Sequence, residues 1–87
     1  SNYFIGENNK LIVKNHLAFW KNKQFDLEDI LCATFESRQK VSTSLRIVFK
    51  DYSTKRYFAG SLRNKHWEAL KGYFESNGIP VIADNLF

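Results

Sequence analysis

The chemistry that this chain could carry depends on a small set of residue types. Two histidines and a single cysteine, His16, His66 and Cys32, are the candidates for a zinc site or for a cysteine–histidine nucleophile pair. Zinc ligands occur at characteristic close spacings, whereas these three residues are scattered along the chain. Cys32 lies in the apolar segment ILCATF, where a cysteine usually packs as a small apolar residue and is chemically inert. We therefore expect neither a metal site nor a catalytic residue from this set.

A second candidate is the acidic cluster of Asp26, Glu28 and Asp29, which could supply a carboxylate pair for acid–base catalysis. The cluster follows a basic segment, so capping and surface ion pairing explain it more simply. The sequence has no GxSxG, Gly-rich phosphate loop, HExxH or CxxC motif. We expect a protein that is not an enzyme and that has no cofactor and no small-molecule substrate.

Positive charge is concentrated in the first quarter of the chain. The net charge is +4, from 13 Lys and Arg against 9 Asp and Glu. Lys10, Lys14, Lys21 and Lys23 could contact an anionic surface, and each lysine well placed on anionic lipid contributes about 1 kcal/mol. The alternative is an ordinary solvated surface, because no run of five like charges occurs.

Aromatic residues are unusually frequent, with eight Phe, four Tyr and two Trp in 87 residues. Phe19, Trp20, Tyr57 and Phe58 lie among Lys and Arg and could stack nucleic-acid bases, provided that they are exposed. Large aromatic side chains bury much area per residue, and a small domain needs that area for its core. We therefore assign most of them to the core and do not expect nucleic acid as a partner.

The segment from residue 60 to residue 80 predicts a helix that closes the fold. Trp67, Leu70 and Phe74 recur at the spacing that lines up one helix face. Gly72, within the helix, costs about 1 kcal/mol relative to alanine, and a backbone passing close by would explain its presence.

Both ends of this helix carry local signals. Asn64 or Ser61 is expected to cap the first turn with a side-chain oxygen. Gly78 is expected to end the helix in the left-handed conformation, with Ile79 and Phe74 as the apolar pair of a Schellman ending.

The segments that precede the helix read as short strands. They are expected at 2–5, 11–14, 17–20, 31–36, 44–50 and 55–59, and a last one follows the helix at 81–83. One helical turn or a tight corner is expected at 26–30, with Asp26 as its cap.

The clearest strand is 44–50, because its apolar residues alternate with polar ones. A three-residue turn after it would place Tyr57 beside Ile47 on the buried face, whereas a four-residue turn would bury Arg56 and Phe58 instead. We favour the three-residue turn.

These elements predict an α+β, mainly β fold: six or seven antiparallel strands form a bent sheet or a partly open barrel, capped by one C-terminal helix. The predicted core is Leu45, Ile47, Phe49, Tyr57, Trp67, Leu70 and Phe74. One domain should span residues 3–87, with residues 1–2 as an expression-tag remnant. The single cysteine excludes an internal disulfide, and no apolar run is long enough to span a membrane.

The order of elements resembles a pleckstrin-homology-like (PH-like) domain, in particular the small bacterial modules attached to uncharacterised membrane proteins. The resemblance rests on FDLEDI at 25–30, SLRIVFKD at 44–51, RYFAGSL at 56–62 and HWEALKGYFESNGI at 66–79. It implies an interaction or scaffolding module on the cytoplasmic side of a membrane, with a protein partner or self-association as the main expectation. Binding of anionic lipid or nucleic acid through the segment from Lys10 to Lys23 is the alternative.

Overall fold

The computed structural model describes residues 2–38, 42–59 and 63–84. Within these ranges there are seven strands and one α-helix: β1 Asn2–Glu7, β2 Lys10–Asn15, β3 Lys23–Asp26, β4 Ile30–Arg38, β5 Ser42–Phe49, β6 Thr54–Phe58, α1 Asn64–Ser76 and β7 Val81–Asp84. Short 3₁₀ turns occupy Phe19–Lys21 and Leu27–Asp29. The prediction of a mainly β fold with one C-terminal helix is confirmed.

The strands form two sheets, of three and four strands, rather than one bent sheet. Their orders are β1-β2-β3 and β6-β5-β4-β7. In the second sheet β7 pairs with β4 in parallel, with Val81 opposite Ala33, so the expectation of antiparallel strands throughout is wrong for this pair. Parallel neighbours need a long crossover, and α1 lies within it. The Asn2 side chain donates to the Phe58 carbonyl at 3.0 Å, but no strand ladder joins the sheets in the described ranges, and the barrel is not closed.

The core lies between the two sheets and α1. Its buried side chains are Leu11, Val13, Leu27, Ile30, Ala33, Phe35, Leu45, Ile47, Phe49, Ala59, Trp67, Leu70, Phe74 and Ile79. Of the seven predicted core residues, all lie in this cluster except Tyr57, which is half-buried and packs against it. Burial raises the pKa of the Tyr57 hydroxyl. The centre is Trp67, whose ring centroid lies 4.9 Å from that of Phe35 and 5.7 Å from that of Phe4.

The helix ends as the sequence predicts. The Ile79 N–H donates to the Phe74 carbonyl at 2.9 Å, and the Gly78 N–H donates to the Glu75 carbonyl at 3.1 Å. Gly78 has a φ of 78°, so these two bonds make a Schellman motif, and Ile79 is buried beside it.

The start of the helix differs from the prediction. The residue at the cap position is Arg63, which makes no side-chain capping bond, and Asn64 is already the first helical residue. The expectation that Asn64 caps the helix is therefore wrong, while Ser61 lies outside the described residues.

Gly72 is exposed on α1, and a Cβ added there would meet nothing within 4 Å. The expected close approach of a backbone is wrong. Because glycine in a helix interior costs about 1 kcal/mol relative to alanine, we predict that Gly72→Ala raises the free energy of unfolding by about that amount in urea denaturation. Gly78→Ala is the matched control. This substitution should lower the free energy of unfolding, because residue 78 has a left-handed backbone conformation that strains alanine. A less stable Gly72→Ala variant would contradict the open surroundings of this residue.

The hairpin between β5 and β6 has the predicted three-residue turn, shifted by one residue to 50–52 and closed by a 2.8 Å bond from the Phe49 N–H to the Ser53 carbonyl. Tyr57 therefore lies opposite Leu45 and not opposite Ile47. The pairing shifts by two residues, so the same face of β6 still points to the core.

Asp51 explains the position of this turn. Its Oδ1 accepts hydrogen bonds from the Ser53 N–H at 2.9 Å and from the Ser53 hydroxyl at 2.6 Å, and these bonds lower the pKa of the Asp51 carboxyl. Tyr52, with a φ of 69°, takes the left-handed position. Side chains that bond to a nearby backbone fix turns in this way.

Candidate functional site: an exposed apolar loop and an adjoining groove

The connection between β2 and β3 exposes three large apolar side chains within four residues. Leu17 is 84% exposed, Phe19 74% and Trp20 70%. The sequence predicts a strand at 17–20, and this prediction is wrong: a bend and a 3₁₀ turn occupy the segment. Residues 16–22 are called the apolar loop below. Large apolar side chains exposed close together are typical of surfaces that bind a partner or a membrane.

Asparagine side chains hold the apolar loop in shape. Asn15 Oδ1 accepts from the N–H groups of Leu17 and Ala18, both at 2.9 Å. Asn22 Oδ1 in turn accepts from the Asn15 N–H at 3.1 Å. These bonds satisfy backbone groups that a strand would otherwise pair, which is how asparagine competes with regular structure. The loop thus has a defined shape although its apolar side chains are exposed.

Lysines surround the base of the apolar loop. Lys21 lies within it, Lys23 begins β3, and Lys14 precedes it on β2. No Asp or Glu occurs anywhere from residue 8 to residue 25. The nearest acidic residues in sequence are Glu7 and Asp26, at the two ends of this segment.

Lys10 differs from the other three lysines predicted to contact an anionic surface. Its Nζ lies 2.5 Å from Asp26 Oδ1, and this hydrogen bond raises the pKa of the Lys10 ammonium. It begins β2, at the end of the strand away from the apolar loop. The same contact explains why Asp26 makes no capping bond to the 3₁₀ turn that follows it, contrary to the prediction.

A groove of about 420 Å³ lies between β1 and α1 and begins at the apolar loop. Its lining is Tyr3, Phe4, Gly6, His16, His66, Ala69, Leu70 and Tyr73. His16 is the first residue of the apolar loop, and its ring centroid lies 4.4 Å from that of Tyr3. The groove is therefore lined mainly by apolar and aromatic side chains and carries two imidazoles.

One wall of the groove is fixed by a close contact between β1 and α1. The Tyr73 hydroxyl donates to the Lys10 carbonyl at 2.8 Å. The Tyr73 ring then lies so close over Gly6 that a Cβ at this glycine would be 2.7 Å from Tyr73 Cγ. Only glycine leaves room for the ring in this position.

The structure separates the residues considered for a zinc site. His16 and His66 both line the groove, whereas Cys32 lies on the opposite face of β4 from the buried Ala33 and is partly exposed. Among the described residues, no three or more His, Cys, Asp or Glu side chains are grouped so as to hold a metal ion. The same part of the chain contains no helix with the length and apolarity needed to cross a bilayer.

Comparison with known proteins identifies no relative: no family model, no curated protein and no solved structure matches this chain.

Proposed function

We propose that this domain is a non-enzymatic interaction module that docks on an anionic membrane surface through its apolar loop. The observation that carries the proposal is the exposure of Leu17, Phe19 and Trp20 on a loop flanked by Lys21 and Lys23. Apolar side chains gain about 25 cal/mol for each Å² that they remove from water. Lysines beside them add attraction to anionic headgroups, so the loop combines the two signals that a peripheral membrane protein needs.

The wider context is also a proposal. A helix packed on two mainly antiparallel sheets supports a PH-like fold, to which β7 would be an addition. With that fold, the domain would belong to a membrane-associated bacterial protein and lie on the cytoplasmic side of the membrane. Its membrane contact would then orient or hold the rest of that protein.

Nucleic acid is a weaker candidate for the same loop. The expectation that the aromatic residues belong to the core is wrong for Phe19, Trp20 and Phe58, which are exposed. However, the rings of Phe19 and Trp20 stand at 80° to each other, 5.3 Å apart, and so do not form two parallel platforms for successive bases. Leu17, the most exposed of the three loop residues, has no ring on which a base could stack.

We predict that the domain co-sediments with vesicles of phosphatidylcholine and phosphatidylglycerol, and does so weakly with phosphatidylcholine alone. The triple variant Leu17→Ser, Phe19→Ser and Trp20→Ser should lose this binding. The double variant Lys21→Glu and Lys23→Glu should weaken it by a factor of about 30 or more, since each lysine contributes about 1 kcal/mol and 1.4 kcal/mol is a factor of ten.

The matched control is the double variant Lys50→Glu and Lys55→Glu. It changes the net charge equally, but its two residues line the surface beside Phe49 and Asp51, at the β5–β6 hairpin. This control should bind almost as the natural sequence does. Equal losses in the two double variants would show attraction by net charge alone, and unchanged binding in the triple variant would refute the role of the apolar loop. A concentration-dependent dimer without vesicle binding would instead favour self-association.

A further inference from the structure

We infer that the groove between β1 and α1 binds a single-chain anionic amphiphile of the fatty-acid class. The apolar chain would lie along Phe4, Ala69 and Leu70, and the carboxylate would lie at His16 and His66. The inference rests on the proposed function only for the source of the ligand, which would be the membrane that the apolar loop contacts.

The size and lining of the groove support a small ligand. Its volume of about 420 Å³ falls within the usual range for ligand sites, roughly 300–1,000 Å³. Such sites are mostly apolar and have a few convergent polar groups. Phe4, Leu70 and Ala69 provide apolar surface here, while the two histidines and the hydroxyl of Tyr3 provide polar groups.

The residue types of the lining are compatible with an anion. Among the described residues the lining contains no Asp or Glu, and both imidazoles can donate a ring N–H to a carboxylate oxygen. The Tyr73 hydroxyl is already bonded to the Lys10 carbonyl, so the two imidazoles and the Tyr3 hydroxyl are the side-chain polar groups of the described lining that are left for a ligand. Because Tyr73 is held in place, the groove does not have to be ordered when the ligand enters, which favours binding.

The position of the groove suggests how a lipid would reach it. His16 belongs both to the groove lining and to the apolar loop, so one end of the groove lies where the loop leaves β2. A loop that enters the headgroup region of a bilayer would bring this end of the groove to the level of the headgroups, where a fatty acid carries its carboxylate. A fatty-acid anion has a single carboxylate, which can accept a hydrogen bond from an imidazole N–H in this lining.

The test is a titration with dodecanoate below its micelle concentration, followed by amide chemical shifts in solution without vesicles. The expected shifts centre on Phe4, Ala69 and Leu70 and saturate. Decanoate, shorter by two methylenes, should bind about tenfold more weakly, and acetate should not bind measurably. Shifts confined to the apolar loop, or a response independent of chain length, would overturn the inference.

Two sets of variants make the test specific. Ala69→Trp fills the groove from an exposed position and should weaken dodecanoate binding at least tenfold, while Glu68→Trp, also exposed on α1 but outside the lining, should not. The double variant His16→Ala and His66→Ala should weaken dodecanoate binding but leave the binding of neutral dodecanol unchanged. This double histidine variant still tests the proposed site if Ala69→Trp folds poorly.

The triple serine variant of the apolar loop separates this inference from the proposed function. It should lose vesicle binding and still bind dodecanoate. If the natural sequence binds dodecanoate but does not bind vesicles, only the membrane proposal is refuted. Vesicle binding without any dodecanoate binding would refute only the groove.

Discussion

Replacing Trp67 with alanine is expected to lower the free energy of unfolding by about 3–5 kcal/mol, the range for truncating a large aromatic residue in a core. Trp67 is 1% exposed and contacts Phe35 from the four-stranded sheet and Phe4 from the three-stranded sheet. It therefore connects both sheets to α1. Small domains have a total stability of only about 5–15 kcal/mol, so the variant should lose a large share of its stability.

The measurement is urea denaturation followed by circular dichroism. Trp20→Ala is the matched control, since it removes the same side chain from a site that is 70% exposed. Its free energy of unfolding should change by no more than about 0.5 kcal/mol, as for most surface substitutions. Equal effects of the two substitutions would contradict the division of the two tryptophans between core and surface.

Gly6→Ala is expected to destabilise the domain by about 1–3 kcal/mol, the usual cost of forcing an extra group into a packed site. The added Cβ would overlap the Tyr73 ring, and that ring cannot move away without losing the bond from its hydroxyl to the Lys10 carbonyl. The strain would therefore separate β1 from α1 and disturb the groove between them.

A double-mutant cycle with Tyr73→Ala tests this explanation. Tyr73→Ala should itself be destabilising, because it removes a packed ring and a hydrogen bond. In that background Gly6→Ala should cost little, since the obstacle is gone, and the coupling should exceed about 0.5 kcal/mol. If the effects of the two substitutions on the free energy of unfolding in urea are additive, the effect of Gly6→Ala does not come from overlap with the Tyr73 ring.

Features that depend on residues close together in the chain were predictable from sequence. The stripe of Trp67, Leu70 and Phe74 and the Gly78 ending define α1 by local spacing and local conformation, and both occur as predicted. The alternation in β5 likewise predicts that Leu45, Ile47 and Phe49 are buried, although Ser44, on its polar face, is buried as well. In these cases the residues that decide the structure are close together in the chain.

Elements whose partners are distant were less predictable. The parallel pairing of β7 with β4 joins segments that are separated by two strands and the helix, and no local pattern specifies the direction of such a strand. The segment 17–20 has apolar and aromatic residues typical of a strand. Its actual conformation depends on the Asn15 side chain, which bonds to two backbone N–H groups of the following residues.

The two parts of the candidate site differ in the same way. The flanking lysines and the exposed aromatic residues of the apolar loop are adjacent in sequence, and only their exposure required the structure. The groove combines residues 3–6 with residue 16 and residues 66–73, and no motif could reveal it. The sequence-based expectation of no small-molecule substrate rested on absent motifs, which do not report on such a groove.

The most direct test of membrane docking uses the different surroundings of the two tryptophans. In a Trp67→Phe variant, Trp20 is the only tryptophan, and its fluorescence reports on the apolar loop alone. This substitution should be tolerated, because the Trp67 indole N–H is buried without a hydrogen-bond partner among the described residues and phenylalanine removes that unsatisfied donor.

On addition of vesicles that contain phosphatidylglycerol, the Trp20 emission maximum should move to shorter wavelength, and brominated acyl chains should quench it. Vesicles of phosphatidylcholine alone should produce a much smaller change. An emission spectrum that stays unchanged and unquenched with anionic vesicles would contradict the proposal that the apolar loop enters the membrane.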